Sequence, residues 1–222
     1  VDALDFWADR LGAHAVETRR VQGRDALRFE DPEGLEHELL VPDVDDEPLT
    51  ADHPDVPAEF ALQGFDGVCA YASDPAASAE LLREALGFAA HDDRLWESRG
   101  TSRGSYYAYH EPPAERGLQG AGSVHHVAWA STIEDHEAWR DRVDAAGARP
   151  TPVIDRFYFR SIYFREPSGV LFEIATLGPG FTIDEPLGSL GEKLSLPPDY
   201  EHLRAEVEPK LRPIVNPRHV AA

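Results

Sequence analysis

Methionine is absent from all 222 residues, the first position included, and the chain opens at Val1-Asp-Ala-Leu-Asp-Phe-Trp, already inside an amphipathic helical pattern. The natural protein is therefore expected to begin further upstream. Cysteine occurs once, as Cys69, which excludes an intramolecular disulfide framework and a Cys-rich zinc site. In an apolar strand it is expected to be a small buried hydrophobe. No apolar run approaches the roughly 18–20 residues that span a bilayer, and the N-terminus lacks a basic-then-apolar signal pattern. The expectation is a cytoplasmic protein without a membrane partner. Lysine is scarce too: Lys193 and Lys210 are the only two, and the other bases are arginines. Against 21 bases stand 41 acids, a formal net charge of −20, a field that repels phosphate backbones and argues against nucleic acid as a partner. An acid-rich, lysine-poor chain is typical of salt-loving archaea, where screening removes most of the mutual repulsion; an acidic protein from a GC-rich bacterium is the alternative.

What is present is an internal repeat. Phe29-Glu-Asp-Pro-Glu-Gly-Leu-Glu-His-Glu38-Leu and Phe164-Arg-Glu-Pro-Ser-Gly-Val-Leu-Phe-Glu173-Ile share the pattern Phe-x-acid-Pro-x-Gly-apolar-x-x-Glu-apolar. Pro and Gly at fixed offsets predict a tight turn between two strands, with the Glu on the second. Helical spacing of apolar residues predicts helices over 3–11, 76–86 and 133–146, each closing near a glycine. Asp74-Pro75 has the form of an N-cap followed by proline in the first turn. Strands are expected at 25–29, 105–110 and 156–164, and opening strands at 64–71 and 123–129. The chain thus reads as α+β, in three βαβββ-like units over about 1–41, 62–111 and 122–177, the first lacking its opening strand. The expected organisation is a remainder of an N-terminal module (1–41), an acidic proline-rich linker (42–60), a C-terminal module (61–183) and a wrapping tail (184–222). Within the tail a helix is expected over 200–211.

Alternation along a strand places His126 and Ala128 on one face, with His125, Val127 and Trp129 on the other. On the last strand Leu171, Glu173 and Ala175 share a face opposite Phe172 and Ile174. A carboxylate between Phe172 and Ile174 is costly unless paired or bound to a cation. Strands one unit apart can converge on one cavity, so His126 and Glu173, 47 residues apart, are candidate metal ligands.

The segments Gly122-Ser-Val-His-His-Val-Ala-Trp and Pro152-Val-Ile-Asp-Arg156 through Tyr163 to Glu173-Ile-Ala resemble the ring-cleaving dioxygenases of the vicinal-oxygen-chelate (glyoxalase/extradiol) superfamily, the hydroquinone-type branch most closely. Gly178-Pro-Gly-Phe181 and Asp184-Glu-Pro-Leu through Leu196-Pro-Pro are similar to its tail. The resemblance implies four βαβββ units in half-barrels, of which three are present. It also implies a two-His, one-carboxylate site for Fe(II), or Mn(II), with open positions for substrate and dioxygen. By that likeness His126 and Glu173 are two ligands, and the third comes from the missing N-terminal unit. The strand Phe65-Asp66-Gly67-Val68 offers no His in its place. His125, Arg156 and Tyr163 are implied as catalytic neighbours able to hydrogen-bond substrate oxygens. The implied partners are a small hydroxylated aromatic and O2, with homo-oligomerisation left open. A glyoxalase-like lyase or isomerase using Zn(II) or Ni(II), and a non-catalytic small-molecule-binding module, are the competing readings.

Structural readings compete for several of these residues. Arg156 could pair with Asp155 or Glu166, and Tyr163 could be core packing. Glu38 is expected to be a vestige of duplication. His37, His53, His91, His136, His202 and His219 show no ligand spacing and are expected to face solvent. The pairs and runs Tyr106-Tyr107 and Phe157-Tyr158-Phe159 are expected to pack on strands.

Overall fold

The computed structural model describes residues 2–12, 15–21, 23–115, 117–120 and 123–213; Val1, Gly122 and His219 lie outside them. The chain divides into two compact units, 1–125 with 167–170, and 126–166 with 171–222. Among the described residues no helix is long and apolar enough to cross a membrane.

The first unit opens with helix α1 (Asp2–Leu11) and an antiparallel sheet of β1 (Ala15–Val21), β2 (Arg24–Glu30) and β3 (Glu36–Leu40), in the order β1-β2-β3. Leu4, Ala26 and Leu27 form its buried core. The turn joining β2 to β3 is the first copy of the repeat. Asp31 Oδ1 accepts the backbone N–H groups of Glu33 and Leu35, both at 2.9 Å, and Gly34 adopts φ 85°. At the equivalent position of the second copy Gly169 adopts φ 102°. Only glycine occupies this region without strain, so the Pro-x-Gly spacing encodes the turn in both places.

A mixed sheet follows, of β4 (Gly67–Tyr71), β5 (Ala89–Ala90), β6 (Leu95–Arg99) and β7 (Gly104–His110) in the order β4-β7-β6-β5, with β4 parallel to β7. The helix expected over 76–86 is instead a 3₁₀ turn, Pro75–Ser78, and a π-helical turn, Leu81–Ala85, and the Asp74 side chain makes no capping bond. Its apolar face is still the expected one: Leu81, Leu82, Ala85 and Leu86 are buried with Phe88, Trp96, Tyr107 and Tyr109. Cys69 corrects the sequence expectation. It is exposed, because β4 alternates and turns Gly67, Cys69 and Tyr71 outward together. The acidic segment after β3 is anchored: Asp46 accepts the Gly104 N–H at 3.1 Å and Arg99 Nη1 at 2.7 Å, contacts that hold its carboxyl below the usual carboxylate range. Buried Arg24 grips Asp66 through two 2.8 Å bonds, which ties β2 to the start of β4.

The second unit repeats the order strand, helix, three strands: β8 (Val127–Ser131), α2 (His136–Ala145), β9 (Ile154–Asp155), β10 (Arg160–Arg165) and β11 (Leu171–Thr176). Its sheet runs β8-β11-β10-β9, with β8 parallel and β10 antiparallel to the central β11. Ile162, Phe164, Phe172, Ile174 and, from α2, Val143 are buried on the helix side. The strand expected over 156–164 is broken. Residues 156–159 bend between β9 and β10, with Phe157 at φ 71°. The tail carries a 3₁₀ helix (Pro198–Leu203), one turn of α-helix, α3 (Arg204–Val207), and a 3₁₀ turn (Glu208–Lys210) in place of a continuous helix, since Pro209 removes a backbone donor. His136 is a second correction. It is 1% exposed, because Ser131 at the end of β8 hydrogen-bonds its Nδ1 at 3.0 Å and draws the first turn of α2 onto the sheet.

Candidate metal-binding site

Glu173 stands at the middle of the central strand β11, paired in register with Ala128 of β8 and Tyr163 of β10. Strand alternation sends Phe172 and Ile174 to the helix side and Glu173 to the opposite side, where Ala128 and Ala130 are exposed. The carboxylate is 4% exposed, and a carboxylate so placed requires partners for both oxygens. Oε1 accepts the Tyr163 phenol at 2.7 Å and the Ser161 hydroxyl. Oε2 lies 2.7 Å from Nε2 of His126.

His126 immediately precedes β8 and is not within it, a small correction to its strand placement, yet its side chain is on the Ala128 side as alternation requires. Its ring meets Tyr163 edge-on, centroids 5.6 Å apart. The Arg156 guanidinium also lies over that phenol ring, 5.6 Å from the centroid. The bend at 156–159 makes this possible: Asp155 Oδ1 accepts the Phe157 N–H at 2.8 Å, so Asp155 serves the turn and Arg156 is turned to Tyr163. A cation over an aromatic face is favourable by about 0.5–2 kcal/mol.

The structure thus brings together His126, Glu173, Tyr163 and Arg156, four of the five candidate residues. His125 is exposed and belongs to the first compact unit. Glu38 sits on β3 in register with Arg28. Ser161 is the residue that motif spacing did not single out. Counting back two from Tyr163 on the same strand would have placed its hydroxyl on the same face.

The donors fit a divalent cation in part. An imidazole nitrogen and a carboxylate oxygen are the ligand types of a facial-triad site. Metal bonds of about 2.0–2.2 Å at right angles would separate them by about 3 Å, a few tenths more than the 2.7 Å observed. Among the described residues no group of three His, Cys, Asp or Glu side chains gathers, so these residues supply two donors. Of two clefts, one of about 380 Å³ lined by residues of 50–61 and one of about 580 Å³ lined by residues including Phe157, Asp184, Lys193 and Arg204, neither includes His126 or Glu173.

Behind the site, the buried His136 imidazole is shifted down by burial, an effect that Glu137 and the Ser161 backbone partly offset and Arg160 slightly deepens.

Residues 64–174 match the glyoxalase/bleomycin resistance protein/dioxygenase superfamily. The chain is 36% identical over 233 residues to "Putative ring-cleaving dioxygenase MhqA" of Bacillus subtilis, covering 96% of this chain and 72% of that one. It is 32% identical over 231 residues to the chlorohydroquinone/hydroquinone 1,2-dioxygenase of Sphingobium indicum, covering 93% and 68%. A crystallised "putative dioxygenase" from Bacillus subtilis superposes with a TM-score of 0.85 at 34% identity, over 96% of this chain and 70% of that one.

Proposed function

Since the chain belongs to the glyoxalase/bleomycin resistance protein/dioxygenase superfamily, whose members usually use a metal ion, we propose that it is a ring-cleaving dioxygenase of hydroxylated aromatics, hydroquinones or catechols. His126 and Glu173 hold Fe(II), or Mn(II) in its place, with a third donor from outside the described residues. The observation that carries this reading is the 2.7 Å approach of His126 Nε2 to Glu173 Oε2, with Oε1 of the same buried carboxylate already occupied by two hydroxyls. One oxygen is secured by the protein and the other faces an imidazole, which suits a shared cation.

Bound there, the metal supplies a Lewis acid and a path for electrons between an aromatic substrate and dioxygen. The protein's own groups do the rest. Tyr163 holds the carboxylate and packs perpendicular to the His126 ring. Arg156 places a permanent positive charge next to that phenol, favouring a substrate hydroxyl in its ionised form. His125 is proposed to exchange a proton or hydrogen bond with a substrate oxygen. The aromatic substrate and O2 are the partners this chemistry requires.

The test is oxygen uptake by the Fe(II)-loaded full-length protein, third donor included, with a panel of hydroquinones and catechols. Uptake that disappears in His126→Ala and Glu173→Ala supports the reading. Stoichiometric metal without oxygen uptake on any ring would replace it with a glyoxalase-like lyase or isomerase, and failure to bind any divalent metal would leave a small-molecule-binding module.

A further inference from the structure

The geometry points to Ser161 as a positioning residue that decides which oxygen of Glu173 is offered to the metal, an inference that rests on the metal-site reading above. Ser161 is 0% exposed and so cannot touch a substrate. Its hydroxyl donates to Glu173 Oε1, the oxygen that also accepts Tyr163. Two donors on one oxygen fix the carboxylate's rotation and leave Oε2 as the oxygen beside His126.

The two donors are not equivalent. Tyr163 is only partly buried, so a bound substrate can compete for its phenol. Ser161 is held on every side. Its backbone is paired with Ala175 of β11 and Ile154 of β9, and His136, anchored to Ser131, packs against its backbone. When Tyr163 turns toward a substrate, Ser161 still holds Oε1. The consequence is a carboxylate that would offer a bound ion one oxygen, Oε2, in a fixed orientation. Without the Ser161 hydroxyl the carboxylate is freer to rotate, and Oε2 is no longer held beside His126.

The probe is Mn(II), titrated into the purified full chain and followed by electron paramagnetic resonance, for the wild type, Ser161→Ala and Glu173→Ala. Groups that orient metal ligands typically contribute 10–100-fold to affinity, so Ser161→Ala is expected to bind Mn(II) about 10-fold more weakly. At saturating Mn(II) its bound-ion spectrum should differ from the wild type, a signature that a purely structural role would not move. Metal-free melting curves separate the two roles, since the single lost hydroxyl should leave the fold intact. Wild-type affinity together with an unchanged bound-ion spectrum in Ser161→Ala would overturn the inference while leaving the metal site standing. Wild-type protein that takes up no more Mn(II) than Glu173→Ala would overturn the metal reading and this inference with it.

Discussion

Replacing Phe172 by alanine should unfasten the strand that carries Glu173. Phe172 is 0% exposed, next in sequence to Glu173 but on the opposite side of β11. There its ring meets Trp129 at 5.6 Å and Phe164 at 5.8 Å, both in edge-type arrangements. Across the ladder its pairing partners are Phe164 and Val127, so the one side chain joins all three strands that surround the site. Truncating a buried phenylalanine costs about 3–5 kcal/mol through lost burial and the remaining cavity, and the two ring pairs place this case near about 4 kcal/mol. Because the chain has two compact units, a single global unfolding energy is a poor readout. Hydrogen exchange of the β10 and β11 amides reports the second unit directly. At 1.4 kcal/mol per tenfold, protection there should fall by roughly three orders of magnitude, while β6 and β7 keep theirs. Phe172→Leu, which leaves a smaller void, should cost no more than about 1.5 kcal/mol. A loss of protection smaller than tenfold in Phe172→Ala would refute the argument that this ring sets the position of β11.

Two further predictions concern charge. Burial lowers the His136 pKa from its ordinary 6.5, so its contribution to stability is complete above about pH 6.5. It is lost as the pH falls toward the folded-state value, since the unfolded chain takes up the proton first. The difference in β8–β11 amide protection between wild type and His136→Gln should therefore shrink from pH 7.5 to 5; a pH-independent difference would contradict a buried neutral imidazole. The net charge of −20 predicts that the melting temperature rises with KCl from about 0.05 M to 2 M, as screening removes repulsion among carboxylates. A flat or falling curve would refute adaptation to high salt.

The architecture was legible wherever a local pattern dictates it. The Pro-x-Gly turns at 31–35 and 166–170, the alternation of Leu171 to Ala175 and the apolar face of 81–86 each follow from residue type and period. The pairing of His126 with Glu173 was legible for the same reason: a carboxylate between Phe172 and Ile174 has few affordable environments. What escaped depends on tertiary context. Cys69 looks like a core residue by composition, but the outward face of β4 exposes it. His136 looks polar and helical, yet one bond to Ser131 buries it. The sequence offers Arg156 a choice of carboxylate partners, while the positive φ of Phe157 bends the chain and sets the guanidinium over Tyr163. Ser161 carries no signal beyond its parity with Tyr163. A small hydroxyl reveals its role only when the strand opposite is known.

The most direct measurement is the fate of the two atoms of dioxygen. Fe(II)-loaded protein turning over a hydroquinone or catechol under ¹⁸O₂ should give a ring-opened product carrying both labelled atoms, and none when Glu173 is replaced by alanine. A product with its ring intact, or one that takes its oxygen from water, would contradict a ring-cleaving dioxygenase.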